Sequence, residues 1–362
     1  MKILRANALL LCAGMVGAPL HAQATLPNPD ALPAAPVARS NWTVARAGDE
    51  VFAFYGIGAG KRSADIARDI YALNLRSRIW RRVGDIPVAQ GRLGSAAVTI
   101  AGEIYVVGGY TVSHDGKEVS TPEVFRFDPK TGGMSLETNI PTPVDDSVAL
   151  PWRNRWIVLV SGWHDTGNVT DVQIYDTQER RWTKGTPWPG TPVFGHAGGI
   201  VDDAMVVCDG VTANKGATGK NHYAVTDACW QGQLDARAPG DIRWKQIPSH
   251  PGKALYRAGA TGVTDRRGNA RMVFAGGTHR PYNYNGIGYD HIPSEPSSAV
   301  FAFDPKRGTW TNYQPTPKAG MDFRGLIAVD GALALFGGMG ANQDVSNQVI
   351  RFTLEPEGLP HH

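Results

Sequence analysis

Cysteine is scarce in this chain: three in 362 residues, one of them, Cys12, inside an apolar leader-like stretch. There is no CxxC pair and no His/Cys ligand spacing, so nothing in the sequence points to a zinc centre. An excess of one charge is also missing. Thirty-six Lys and Arg face 33 Asp and Glu, a formal net charge of +3, and Lys2 and Arg5 belong to the leader. That near-balance argues against a nucleic-acid surface and against a disordered polyelectrolyte. Beyond residue 24 no run is apolar enough for a transmembrane helix, so no membrane insertion is expected once the leader is removed. What the chain has in quantity is glycine, 43 residues, and proline, 25 residues, which implies many turns and few long helices.

The first 24 residues read as a signal peptide. MKILR is a short positive start, ALLLCAGMVGA an apolar run, and Ala22-Gln23-Ala24 a small-residue cleavage site. A periplasmic or secreted protein is therefore expected. In such a compartment Cys208 and Cys229, on either side of a long loop, form either a local disulfide or two buried thiols.

The strings AFYG, VVGG, VSG, VCDG, FAGG and LFGG end apolar strands at Gly56, Gly109, Gly162, Gly210, Gly277 and Gly338. After a loop each is followed by a further strand, such as EVFRFDP or AVFAFDP, and in most units by a tryptophan: Trp80, Trp182, Trp244 and Trp310. The intervals of 48 to 67 residues suit a four-stranded sheet with loops, which cannot bury both faces alone. Diglycine, aromatic-x-x-Asp-Pro and tryptophan make up the kelch pattern, and six units predict an all-β, six-bladed kelch-type β-propeller. The sixth unit ends after its third strand, so the mature N-terminal segment, residues 25–33, is expected to close it and remove the open edge. The expected organisation is leader 1–24, propeller 25–355 and a short tail 356–362.

In such a blade the long second-to-third-strand loops share one face with the starts of the inner strands, and chemistry is expected there, round the channel mouth. The segments opening the inner strands carry Arg39, Arg92, Asp145 with Asp146, His196, Arg257 and Arg324. Several arginines round one funnel suit a carboxylate or phosphate; alternatively, each pairs with an acidic neighbour and staples blades. The loops add Trp163-His164-Asp165, Asp209, Lys220-Asn221-His222-Tyr223 and the blade-five run from His279 through Tyr282, Asn283 and Tyr284 to His291. Tyrosines with Asn and Asp suit a sugar, its apolar faces on the rings; the alternative is a long loop packed over the channel by its own tyrosines. His279 and His291 beside tyrosines raise a copper-radical oxidase, but that chemistry needs a cysteine near the ligand tyrosine, and both mature cysteines lie in blade four. No metal is expected. The repeated Ser-x-Asp boxes of sialidases are absent.

The leader, the Leu26-Pro27-x-Pro29 start, Arg92 ahead of AGEIYVVGG, the loop AGGTHRPYNYNGIGYDH and Arg324 ahead of ALALFGG together resemble the periplasmic kelch-type N-acetylneuraminate epimerases, or sialic acid mutarotases. That resemblance implies an exported isomerase interconverting anomers of sialic acid or a related acidic sugar, without metal or organic cofactor. Where that family carries a glutamate after the fourth-blade glycine and a later arginine, this chain has Val211 and, most nearly, Lys220, with Asp209 just before the glycine. On this reading His196, His164 and Asp209 are the catalytic candidates, since mutarotation needs a base and an acid that titrate near neutrality. Arg92, Arg257, Arg324 and Lys220 would hold the carboxylate, and Tyr282 and Tyr284 the ring. The partner expected is a small anionic sugar. The rival expectation is a non-catalytic kelch propeller that binds a glycan or a protein.

Overall fold

A computed structural model describes residues 31–216, 219–265 and 268–356. Strands dominate, with two single-turn 3-10 helices at Ser63–Asp65 and Ala341–Gln343. The strands form five four-stranded antiparallel sheets and one of three strands, each sheet running in sequence order from inside to outside. In blade one the four strands are Thr43–Ala47, Glu50–Phe54, Asp69–Asn74 and Ile79–Asp85. The inner strands of blades two to six are Ala96–Ile100, Val148–Trp152, Ala197–Val201, Gly259–Thr264 and Ile327–Val329. Each inner strand lies beside the next round a central channel, which gives the expected six-bladed propeller.

Amino-acid patterning explains this order. The second strand of each blade has neighbours on both edges and on both faces, so it is apolar throughout, as in Trp156–Val160 and Ala332–Phe336. Outer strands face water and alternate, as in Arg243–Ile247. Between every two neighbouring blades sits one apolar core. Phe52 and Phe54 of blade one, for example, meet Ile104, Val106 and Phe127 of blade two. The fourth-strand tryptophans fill these interfaces: Trp80 stacks on Trp42 and meets Phe336 of blade six edge-on, and Trp310 packs on Phe274, Phe301 and Phe303.

The blade glycines owe their identity to a crossing within each blade rather than to crowding at the axis. Gly109 has φ +98, and a Cβ there would lie 2.7 Å from the Leu93 carbonyl oxygen. The end of the second strand crosses the approach to the inner strand at that point.

Cys208 and Cys229 face each other across the second and third strands of blade four and form a disulfide. At the ring closure, blade six keeps three strands among the described residues. Residues 32–39 run beside its third strand. The amide of Ala35 donates to the Asn347 carbonyl (2.8 Å), and the Arg39 amide to that of Ser346 (3.1 Å). Leu32 and Ala35 pack with Phe336 and Val349, and the Pro33 carbonyl accepts from Trp80 Nε1. The compact unit begins at Leu32. The leader, residues 25–30 of the expected closing segment and the tail from 357 lie outside the described residues. Among those described, no helix is long and apolar enough to cross a membrane.

Candidate functional site

One residue of each blade, just ahead of the inner strand, adopts a left-handed backbone: Asn41, Gly94, Asp146, Gly195, Arg257 and Asp322, with φ between +48 and +66. These six make a closed belt of hydrogen bonds round the mouth. The Asp146 amide donates to the Gly94 carbonyl, Gly195 to Asp146, Arg257 to Gly195, Phe323 to Arg257, and Asn41 to Asp322. Between blades one and two the link is the Asn41 side chain, whose Oδ1 accepts from the Gly94 amide at 2.7 Å. Three belt side chains, Asp146, Arg257 and Asp322, form a buried ionic lattice with Arg324. Arg257 donates to Asp146 at 2.6 Å and to Asp322 at 3.1 Å. Arg324 pairs with Asp146 and donates through Nε to Asn41 Oδ1. Ser40 and Asn41 complete the coordination of Asp322.

Above the belt rise three short hairpins, from blades two, three and four. They are Tyr110–Val112 with Glu118–Ser120, Trp163–His164 with Gly167–Asn168, and Val211–Lys215 with Asn221–Val225. Blade five sends no hairpin but a long loop across the mouth. Its Tyr284 packs with Ile57, Leu93 and Tyr110 of blades one and two, while Tyr289 stacks on Tyr223 of blade four with ring centres 3.9 Å apart. Under this roof lies a cavity of about 350 Å³, walled by Tyr110, Trp163, Phe194, Tyr223, Tyr284 and Tyr289 and floored by Asp145, Asp146 and Arg257. Glu118, Asp165 and Asn283 line its rim. The larger channel below is walled by the inner strands themselves, mainly by small residues such as Ala96, Ala97, Gly198 and Gly199. The cavity, not the channel, gathers the titratable groups.

Electrostatics separates its carboxyls. Burial pushes Asp145 well above the usual carboxylate range and the adjacent Asp146 charge pushes it further; Ser120 Oγ donates to its Oδ2 at 2.6 Å. Burial would raise Asp146 as well, but Arg257 and Arg324 outweigh it and hold that carboxyl below its ordinary value. Glu118 is exposed on its hairpin, yet desolvation by the surrounding protein raises its carboxyl despite the opposing pull of Arg257. Neighbouring carboxyls driven in opposite directions are the usual basis for acid and base roles in one site.

The residues expected from sequence fall into two groups. Arg257 and Tyr284 line the cavity, and Arg324 belongs to the lattice beneath it. Tyr282 is buried against Tyr256, with the Arg257 guanidinium 5.1 Å from its ring centre, and supports the floor. The others lie elsewhere. His196 is buried in the channel wall and bonded to the Val160 carbonyl; burial pushes its imidazole down to about 4, so it is neutral. Asp209 is enclosed between blades four and five, 2.7 Å from His250 Nε2, and His250 stacks on Phe301. His164 Nδ1 bonds to the Pro143 carbonyl, and Lys220 is exposed beside its hairpin. Arg92 pairs with Glu123 at 2.8 Å and lies over the rings of Tyr55 and Phe125, between blades one and two. The starts of the inner strands are thus not in common register. Relative to the belt, Arg92 sits two positions early, His196 one late and Arg324 two late, which sends their side chains to different places.

Sequence reasoning missed Glu118 and Asp322 and gave Asp145 and Asp146 no role. The left-handed belt could have signalled Asp322, because Asn, Gly and Asp favour that backbone and recur at the right distance before each blade glycine. Nothing local marks Glu118. Among the described residues no group of three or more His, Cys, Asp or Glu is placed to hold a metal ion.

Comparison with known proteins agrees with the repeat. A family model for the Kelch motif matches residues 91–132. Kelch-like protein 15 of Homo sapiens is 20% identical over 259 residues, covering 69% of this chain and 39% of that protein. Kelch-like protein 36 of Bos taurus is 24% identical over 193 residues, covering 53% of this chain and 30% of that protein. The matches therefore span well under half the length of either relative. The solved structure titled "Structure of YjhT" superposes with a TM-score of 0.70 at 16% identity, over 89% of this chain and 97% of that one. At that identity the likeness concerns the fold.

Proposed function

Starting from a chain that is a kelch-repeat β-propeller, we propose that it is an exported sugar mutarotase working in the cavity at the propeller mouth. The observation that carries this is Asp145, a buried carboxyl on the floor of a cavity walled by aromatic rings, which burial and the adjacent Asp146 push well above the usual carboxylate range while Arg257 and Arg324 hold Asp146 below it. The leader-like first 24 residues support export, and the resemblance to the N-acetylneuraminate epimerases supports the reaction type.

Glu118 accepts the proton of the anomeric hydroxyl, whose oxygen–carbon bond becomes a carbonyl. The bond from the anomeric carbon to the ring oxygen breaks, its electron pair goes to that oxygen, and Asp145 protonates it. The open chain rotates about the neighbouring carbon–carbon bond and closes on the other carbonyl face, with both protons returned. No net acid or base is consumed, and each group contributes on the order of 10²–10⁴-fold. Tyrosine and tryptophan faces hold the apolar side of the ring, and Asn283 at the rim meets hydroxyls.

The test is proton NMR of freshly dissolved single anomers of sialic acid and of common hexoses. Protein should speed the return to equilibrium, and Asp145→Asn should remove that acceleration. Unchanged rates across the panel would rule the reading out. A second reading, sugar binding without turnover, is favoured by one placement: His196 and Asp209, the expected catalytic groups, lie outside the cavity. Saturable binding with unchanged anomer exchange would select it.

A further inference from the structure

Resting on the reading of this cavity as a sugar site, we infer that it takes a sugar bearing a free ammonium group in preference to one bearing a carboxylate. The resemblance to enzymes of acidic sugars would put a guanidinium clamp here, and the charges lining the cavity do not form one. The cavity is lined by four carboxyl groups, Glu118, Asp145, Asp146 and Asp165, against one guanidinium, Arg257. That guanidinium is spent: its two ends are held by Asp146 and Asp322, and its side chain is 2% exposed. Arg324, the next nearest cation, is tied to Asp146 and Asn41. The lattice of Arg257, Arg324, Asp146 and Asp322 is therefore self-neutralised, and Glu118, Asp145 and Asp165 remain above it.

A carboxylate entering the cavity meets those three groups and finds no unpaired lining cation to offset its desolvation. An ammonium meets the reverse. Asp145 is itself only 4% exposed and lines the cavity, and its carboxyl, held in place by a hydrogen bond from Ser120 Oγ to Oδ2, is positioned to meet a donor there. The rings of Tyr110, Tyr284 and Trp163 also line the cavity, where an aromatic face attracts a cation. Bringing an ammonium beside Glu118 and Asp145 also favours their ionised forms, against the upward push that burial gives both carboxyls.

Titration calorimetry on the full-length protein at pH 7, with glucosamine, glucose and glucuronate as probes, tests this. Glucosamine should bind roughly fivefold or more tighter than glucose, and glucuronate more weakly than either, as expected for one charge pair in a half-enclosed site. Glu118→Gln should reduce the glucosamine affinity roughly fivefold. Asp165→Asn provides an independent check at the rim. Tighter binding of glucuronate than of glucosamine, or no binding of any probe, overturns the inference. The mutarotase reading falls separately: glucosamine preferred with unaltered anomer exchange removes the catalysis and keeps the cation preference, and accelerated exchange with glucuronate preferred does the opposite.

Discussion

At the scale of single residues, the ionic lattice under the mouth makes the sharpest prediction. Arg257 holds two buried carboxylates, so Arg257→Met leaves Asp146 and Asp322 short of charge and should cost about 3–5 kcal/mol in urea denaturation. Arg257→Lys should rescue little, because one ammonium cannot reproduce the two-ended contact. His196 makes a pH prediction. Its pKa is about 4 when folded and near 6.5 when unfolded, so the unfolded chain takes up a proton first as pH falls. Stability from this group is full above pH 6.5 and is lost as pH drops toward 4, by about 3 kcal/mol. His196→Gln should flatten that acid limb of the stability curve. Asp145 has the opposite sign: its raised folded pKa means stability is full below the unfolded value near 3.8 and declines as pH rises through the folded one. Asp145→Asn should therefore narrow the difference in urea midpoint between pH 5 and pH 8. These roles were poorly legible in the sequence. Arg92 and Arg257 look alike in the sequence, both opening an inner strand, yet one faces Glu123 between blades and the other forms the cavity floor. A two-residue difference in position relative to the belt decides which, and no local pattern around either arginine announces it.

At the scale of elements, strands were readable and loops were not. Alternation and apolar runs identify the second strands because burial on both faces demands them, and the tryptophans identify the interfaces because an indole needs that much apolar surface. Opposite Cys229, Cys208 had two open readings; direct cross-strand pairing in blade four settles it as a disulfide. The bond closes a loop spanning 21 positions, so Cys208→Ala with Cys229→Ala should cost about 3 kcal/mol, measured as a shift in denaturation midpoint with unchanged slope. The blade-five loop shows why the site escaped. Tyr284 and Tyr289 are near neighbours in sequence, but one docks on blades one and two and the other on blade four. The expected self-packed cover describes that loop in part: the rings that anchor the roof also wall the cavity.

At the scale of the whole molecule, closure is the governing constraint. Inner strands of blades four and five approach so closely that a Cβ on Gly199 would stand 2.6 Å from the Thr261 carbonyl carbon. Gly199→Ala must push two blades apart, and thermal unfolding should report a loss of about 1–3 kcal/mol. Starting the chain at Val37 removes Leu32, the Pro33 carbonyl bonded to Trp80, and the Ala35 contact to Asn347, and should lower the melting temperature. An unchanged melting temperature would show that blade six needs no support from residues 31–36. The sequence by itself determined the number of blades, the order of strands within each, the interface tryptophans and the face that carries the loops. Those properties follow from local periodicity and from the need of every sheet for two apolar neighbours. Only the tertiary structure decided which charges meet. Asp146, Arg257, Asp322 and Arg324 come from three blades and are scattered over 179 positions, and their mutual neutralisation exists only because the ring brings those blades to a common mouth. Coulomb energy depends on distance in space and on burial, and neither is written in the spacing of residues along a chain.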